Sequence, residues 1–143
     1  MITRKSNAKW EGGLKGGNGK LELGSKAFSG QYSFQSRFEE GTGTNPEELI
    51  AAAHAGCFSM FLSAVLEKEG HEPQSVTTEA QVKMEKIGEG FKITQIVLIS
   101  SAEVPGISKD DFQKLAEVSK KGCPISQALS AVDIKLEATL KQR

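Results

Sequence analysis

A chain of 143 residues with 38% apolar and 25% charged side chains has the size and balance of one globular domain, and this excludes fibrous and disordered classes. Eighteen Lys and Arg balance eighteen Asp and Glu, so no excess positive field exists to condense on nucleic acid or an anionic membrane surface. Two cysteines and two histidines, His54 and His71, 17 positions apart and without CxxC or HxxxH spacing, do not form a metal-binding pattern.

The first 13 residues carry basic side chains without a following apolar segment, so they do not read as a secretory signal, and a cytoplasmic protein is expected. Residues 3–38 hold short alternating segments broken by glycines: Ala8 to Glu11, Lys20 to Leu23, and Tyr32 to Gln35. They predict an antiparallel meander with Arg37 at the end of its last strand. Asn45 then offers an N-cap, with Pro46 at the first helical position and Glu48 placed to reach back in a capping box. The helix so started should run to about Glu69 and stop at Gly70. It is apolar or small nearly all the way round from Leu49 to Leu66, which predicts packing on several sides. Such a run is long enough to suggest a membrane span, but His54, Gly56, Ser59 and Ser63 interrupt it. Its flanking charges also lack a basic bias, so no membrane role is assigned.

Val76 to Ile87 and Phe91 to Ser101 alternate on either side of a Gly88 to Gly90 turn, predicting a long hairpin. Ser108 and Asp111 open another helix, with Phe112, Leu115, Ala116 and Val118 as its apolar face and Gly122 as its end. Cys123 precedes Pro124 and a short helix to Leu129, and Val132 to Leu140 alternates as a last strand with one dry face. The order strands, helix, hairpin, helices, strand predicts a single α+β domain over 1–143.

Cys57, inside the apolar helix, reads either as core packing or as chemistry. Cys123, between Gly122 and Pro124, reads either as a turn residue or as a thiol whose helix-start position favours thiolate. Thiolate attack on a peroxide needs a cation to hold the charge and a group to orient that cation. The arginines are Arg4, Arg37 and Arg143, and Arg37, flanked by Phe34 and Phe38 just ahead of the helix, stands out. Glu47 favours the first helical turn by the dipole alone. It also lies ten residues before Cys57, about 15 Å along the axis and about 80° around it, so a straight helix keeps the two apart. If both serve one site, either Arg37 spans the gap or a second copy supplies one of them. His54, three positions before Cys57, suggests a Cys–His acyl-transfer pair. Mid-helix backbone N–H groups are already bonded, however, and offer no oxyanion hole, so a histidine filling a polar gap against the sheet or a partner copy is the better reading.

The stretch SRFEEGTGTNPEELIAAAHAGCFSM, the later KKGCPISQAL, the alternating final strand and the early WEGGLKGGNGKL together resemble the osmotically inducible protein C (OsmC) family, in the OsmC branch of the OsmC/Ohr thiol peroxidases. The resemblance covers essentially the whole chain. It implies antiparallel sheets wrapped around long central helices in an intertwined homodimer with shared active sites. It further implies reduction of organic hydroperoxides without metal, haem or other cofactor, and recycling by a dithiol or lipoyl-type reductant. By that likeness Cys57 is the attacking cysteine, Cys123 the resolving one, Arg37 the activating arginine and Glu47 the acid that orients it. The apolar neighbours Phe58, Met60 and Phe61 are expected to line a mouth that prefers alkyl or aryl peroxides. A cysteine-pair redox sensor without sustained turnover is the alternative.

Overall fold

The computed structural model describes residues 1–141; of the arginines considered above, Arg143 lies outside the described residues. The chain forms two compact units, Met1–Leu49 and the remainder from Ile50 onward.

The first unit is a meander of β1 (Ser6–Glu11), β2 (Asn18–Leu23) and β3 (Ser29–Tyr32), antiparallel and in that order. Gly19 faces both Trp10 and Tyr32 across the ladder. A Cβ there would lie 2.4 Å from the Tyr32 ring and 2.7 Å from that of Trp10, and glycine lets these rings meet at 5.4 Å. Tyr32 ends the sheet, and Phe34–Phe38 is a short helix, α1, not the strand expected over Tyr32 to Gln35. Local chemistry decides this. Ser33 accepts from the Ser36 N–H at 3.1 Å, and Ser36 Oγ accepts from the Ser33 N–H at 2.8 Å, a reciprocal cap whose second member is serine instead of the usual Glu or Gln. Phe34 and Phe38, one turn apart, stack at 5.0 Å.

Helix α2 (Pro46–Lys68) starts as its caps predict, with the Glu48 N–H donating to Asn45 Oδ1 at 2.7 Å. The carboxylate of Glu48 takes the Thr44 hydroxyl at 2.8 Å, not the Asn45 backbone. The helix stops at Gly70 in a Schellman turn: Gly70, at φ 86°, donates to Glu67 O, and His71 donates to Leu66 O.

In the second unit α2 packs on a sheet of β4 (Ser75–Ile87), β5 (Gly90–Glu103) and β6 (Asp133–Leu140), in that order. The β4–β5 hairpin is antiparallel, with a bulge at Lys83/Met84. β6 pairs with β5 in parallel, so this sheet is mixed and not wholly antiparallel as expected. The reason is topological: α3 (Lys109–Gly122) and α4 (Pro124–Ala128) carry the chain back before β6 begins, and such a crossover returns a strand parallel. One face of the sheet supplies Ile96, Leu98, Ala102 and Leu140 to the core, against Phe58, Leu62 and Leu66 of α2 and Phe112 and Ala116 of α3. Each such large side chain, fully buried, contributes about 1.5–3 kcal/mol. On this face the hydroxyls form a chain: Ser59 donates to Thr78 at 2.7 Å, and Thr78 and Ser100 share a hydrogen bond of 3.0 Å. On α3, Ser119 takes the inward position and Val118 is exposed, opposite to its expected place in the apolar face. From Phe112, steps of four and three reach Ala116 and Ser119, and Ser119 satisfies its hydroxyl on Leu115 O at 2.8 Å.

The faces of α2 are unequal. His54, Phe58, Leu62 and Leu66, each four residues apart, are buried, whereas Ala53, Gly56, Met60 and Ala64 form an exposed apolar stripe. Within one chain α2 is therefore covered on one side, not on several. By length and composition alone the helix could cross a membrane, with a mean hydropathy of 1.9, but its inward face is already occupied by the sheet.

Candidate active site

Two pairs of side chains stand out, one in each unit. In the first, the α1 turn and the following loop bring Arg37 to Glu47. Ser36 Oγ donates to Thr44 O at 2.7 Å, Asn45 Nδ2 donates to Ser36 O at 3.1 Å, and the Thr44 N–H donates to Gln31 O at 2.8 Å. Gly43, at φ 118°, passes so close to Gln31 O that a Cβ would sit 2.6 Å away. The loop is thus tied to both β3 and α1. Arg37 Nε and Nη2 donate to the two carboxylate oxygens of Glu47, each at 2.9 Å, a planar two-bond pairing that fixes the guanidinium in orientation as well as position. The Phe38 ring lies under the guanidinium at 5.2 Å. The bond to Glu47 raises the Arg37 pKa, against partial burial that lowers it. Arg37 is thus held on a helix, not at a strand end, and keeps 38% of its side chain exposed while Glu47 is nearly covered at 12%.

In the second unit, Cys57 on α2 meets Cys123 at the α3–α4 junction. Both are free thiols, and the Cys123 thiol donates to Cys57 Sγ over 2.7 Å although the residues are 66 positions apart. A disulfide needs about 2.05 Å, so the sulfurs are within a small displacement of bonding. Burial pushes the Cys57 pKa up, and the Cys123 contact pushes it further, while the backbone N–H of Ile125, in the first turn of α4, pulls it back. The sulfur that faces a helix-start N–H is therefore that of Cys57, not Cys123 as expected. The Cys123 side chain makes no cap bond, and its carbonyl instead accepts the first bond of α4, from the Gln127 N–H at 3.0 Å.

His54 is fully buried, and its Nε2 shares a hydrogen bond of 2.7 Å with Ser126 Oγ on α4. Its polar partner is thus neither the sheet nor a second copy. Nδ1 has no partner among the described residues, and burial lowers the imidazole pKa, favouring the neutral ring. Phe58, Met60 and Phe61 do not share one mouth: Phe58 points into the core, Met60 is 77% exposed, and Phe61 rests on Gly122. Consecutive helix residues diverge by about 100°, which separates them. Ser126 was missed by sequence reasoning, and the only available signal was its place three residues after Cys123, in GCPIS.

An α+β fold that brings two distant thiols within bonding reach defines a cysteine-based redox protein. The chain belongs to the OsmC-like protein family, whose model matches residues 39–137. It is 47% identical to peroxiredoxin OsmC of Escherichia coli over 141 residues, 98% of each chain. It is 35% identical to an organic hydroperoxide resistance protein of Xanthomonas axonopodis pv. citri over 98 residues, 67% of each. Among solved structures it resembles the organic hydroperoxide resistance protein OhrB of Bacillus subtilis, with a TM-score of 0.73 and 28% identity, covering 96% of this chain and 98% of that one.

Proposed function

We propose that the protein is a thiol-dependent peroxidase that reduces organic hydroperoxides to alcohols in stress defence. The carrying observation is the 2.7 Å approach of Cys57 and Cys123 across 66 residues of sequence. The names of the relatives, peroxiredoxin and organic hydroperoxide resistance protein, support the same chemistry.

Cys57 thiolate attacks one peroxide oxygen, the O–O bond breaks, and the alkoxide leaves and takes a proton to become the alcohol. Cys57 is left as sulfenic acid. The Cys123 thiol then displaces its hydroxyl, forming a Cys57–Cys123 disulfide and water. A dithiol, with lipoyl-type reductants as the candidates, exchanges with the disulfide and restores both thiols.

Burial works against the Cys57 thiolate, so a positive group is needed. Arg37 is the group assigned to this task. Its two-bond pairing with Glu47 leaves Nη1 uninvolved in that pair, and an oriented guanidinium of this type can stabilise a thiolate and the charge on a leaving oxygen. Both units then serve as one OsmC-like domain over 1–143, and a homodimer with shared sites supplies the arrangement. The exposed apolar stripe Ala53, Gly56, Met60 and Ala64 on α2 offers a second copy a surface to cover. The neutral charge balance suits a cytoplasmic protein that binds neither nucleic acid nor membrane.

Mass spectrometry after one equivalent of cumene hydroperoxide tests the scheme: an intrachain link between Cys57 and Cys123 is expected, and two intact thiols overturn it. Sustained peroxide consumption with a dithiol present separates an enzyme from a sensor that oxidises once.

A further inference from the structure

Three contacts join α2 to the α3–α4 junction, and they run in opposite chain directions. His54 meets Ser126, Cys57 meets Cys123, and Phe61 meets Gly122. The thiol contact is the middle rung of this short ladder. At one end, a Cβ on Gly122 would sit 2.7 Å from the Phe61 ring, so only glycine lets the ring settle there. At the other, the 2.7 Å bond between His54 and Ser126 crosses a fully buried position.

A histidine is an expensive way to fill that space. Its Nδ1 is buried without a partner among the described residues, whereas an apolar side chain of similar size would leave no polar atom unsatisfied. What the imidazole provides and leucine cannot is a directional bond to α4, the element that begins at Cys123. We infer that His54 and Ser126 are positioning residues that lock α4 onto α2, so that the Cys123 thiol reaches oxidised Cys57 before a second peroxide does.

This rests on the peroxidase reading of the cysteine pair. The sulfenic acid on Cys57 has two fates. In one, the S–OH bond breaks as the Cys123 sulfur bonds to Cys57 sulfur, and the hydroxyl leaves with the Cys123 proton as water. In the other, a second hydroperoxide transfers an oxygen to the same sulfur, giving sulfinic acid and a second alcohol, and the enzyme is lost. Holding Cys123 in place raises the rate of the first without altering the second. The lock therefore protects the enzyme against its own substrate.

The test uses the full chain with Ser126→Ala, which removes the partner of Nε2, and Ser126→Thr, which keeps a hydroxyl. In glutathione redox buffers, the ratio of disulfide to dithiol form reports the effective concentration of one thiol at the other. It is expected to fall about tenfold in Ser126→Ala, the consequence of one lost buried hydrogen bond, and to recover in Ser126→Thr. With excess cumene hydroperoxide the sulfinic fraction of Cys57 should rise in Ser126→Ala and return to that of the unaltered protein in Ser126→Thr. Gly122→Ala should reproduce both effects from the other end of the ladder, and if Ser126→Ala does not fold, His54→Gln, which alters the same bond from α2, decides the matter by the same two readouts. A folded variant with the original redox ratio and the original sulfinic fraction overturns the inference. An unaltered protein whose Cys57 does not react with peroxide overturns the peroxidase reading instead, and the glutathione ratio, which involves no peroxide, still decides whether the lock exists.

Discussion

The Arg37–Glu47 pair and the Cys57–Cys123 pair are opposites in physical character. The first is charged, joined by two parallel hydrogen bonds and partly open to solvent. The second is a pair of free thiols, and burial works against ionisation of Cys57. The thiols are placed to bond to each other before either is placed to become a nucleophile. The ion pair holds an oriented positive charge and has no reacting atom. Under the proposed mechanism what one pair lacks the other supplies, and separating placement from activation would let each be tuned without disturbing the other.

Substitutions can break this complementarity at either end. The largest effect is expected from Cys57→Ser, because a hydroxyl in that environment does not ionise. Peroxide turnover should fall by on the order of a thousandfold or more in a coupled dithiol assay. Arg37→Met removes the charge while keeping an unbranched apolar stem. kcat/KM for cumene hydroperoxide should drop about a hundredfold, the usual consequence of losing one charge-stabilising donor. Arg37→Lys should recover little of this, since an ammonium cannot make the two-bond pairing with Glu47. If Arg37→Met retained full activity, the two pairs would have to be read as unrelated. Glu47→Gln leaves the cation in place but loosens its aim, and a loss of about tenfold is expected, with the disulfide-forming step measured separately and unchanged.

The smallest effect concerns stability. Burial depresses the His54 pKa, so the unfolded chain binds a proton at a higher pH than the folded one does. The stability from the neutral buried ring is complete above about pH 6.5 and is lost as pH falls below that value toward the depressed folded pKa. Denaturant midpoints measured between pH 7.5 and pH 5 should decline through this window, and a His54→Gln variant should show a shallower decline.

Most of the element order was legible because local rules act locally. The Asn45 cap, the Gly70 stop, the alternation of Val76 to Val82 and the turn before Gly90 each express within a few residues. Helix α1 was not legible, because its cap pairs Ser33 with Ser36, and serine in the second position is a weak signal for a reciprocal cap. Val118 faces solvent and Ser119 takes the inward position, since hydrophobicity alone cannot show that a serine will bury its hydroxyl against its own helix. The parallel pairing of β6 depends on where two intervening helices return the chain, which periodicity does not record. The site residues were recognisable as a family pattern. The same pattern implied that Cys57 pairs with Cys123, but not that His54 meets Ser126, a contact between distant segments. The expected mouth of Phe58, Met60 and Phe61 failed for a simpler reason: neighbours in sequence on a helix are not neighbours on its surface.

The 66-residue separation of the two cysteines has a further consequence. The segment between them contains the whole β4–β5 hairpin and all of α3, so the proposed disulfide would close a covalent loop around most of the second unit. Chain statistics put the resulting loss of unfolded-state entropy at about 4 kcal/mol for a loop of this size. Under the proposed mechanism the resting, reduced protein is the looser of the two forms, and each turn of the cycle would tighten and release the fold. Its melting temperature becomes a gauge of how much peroxide it has just met.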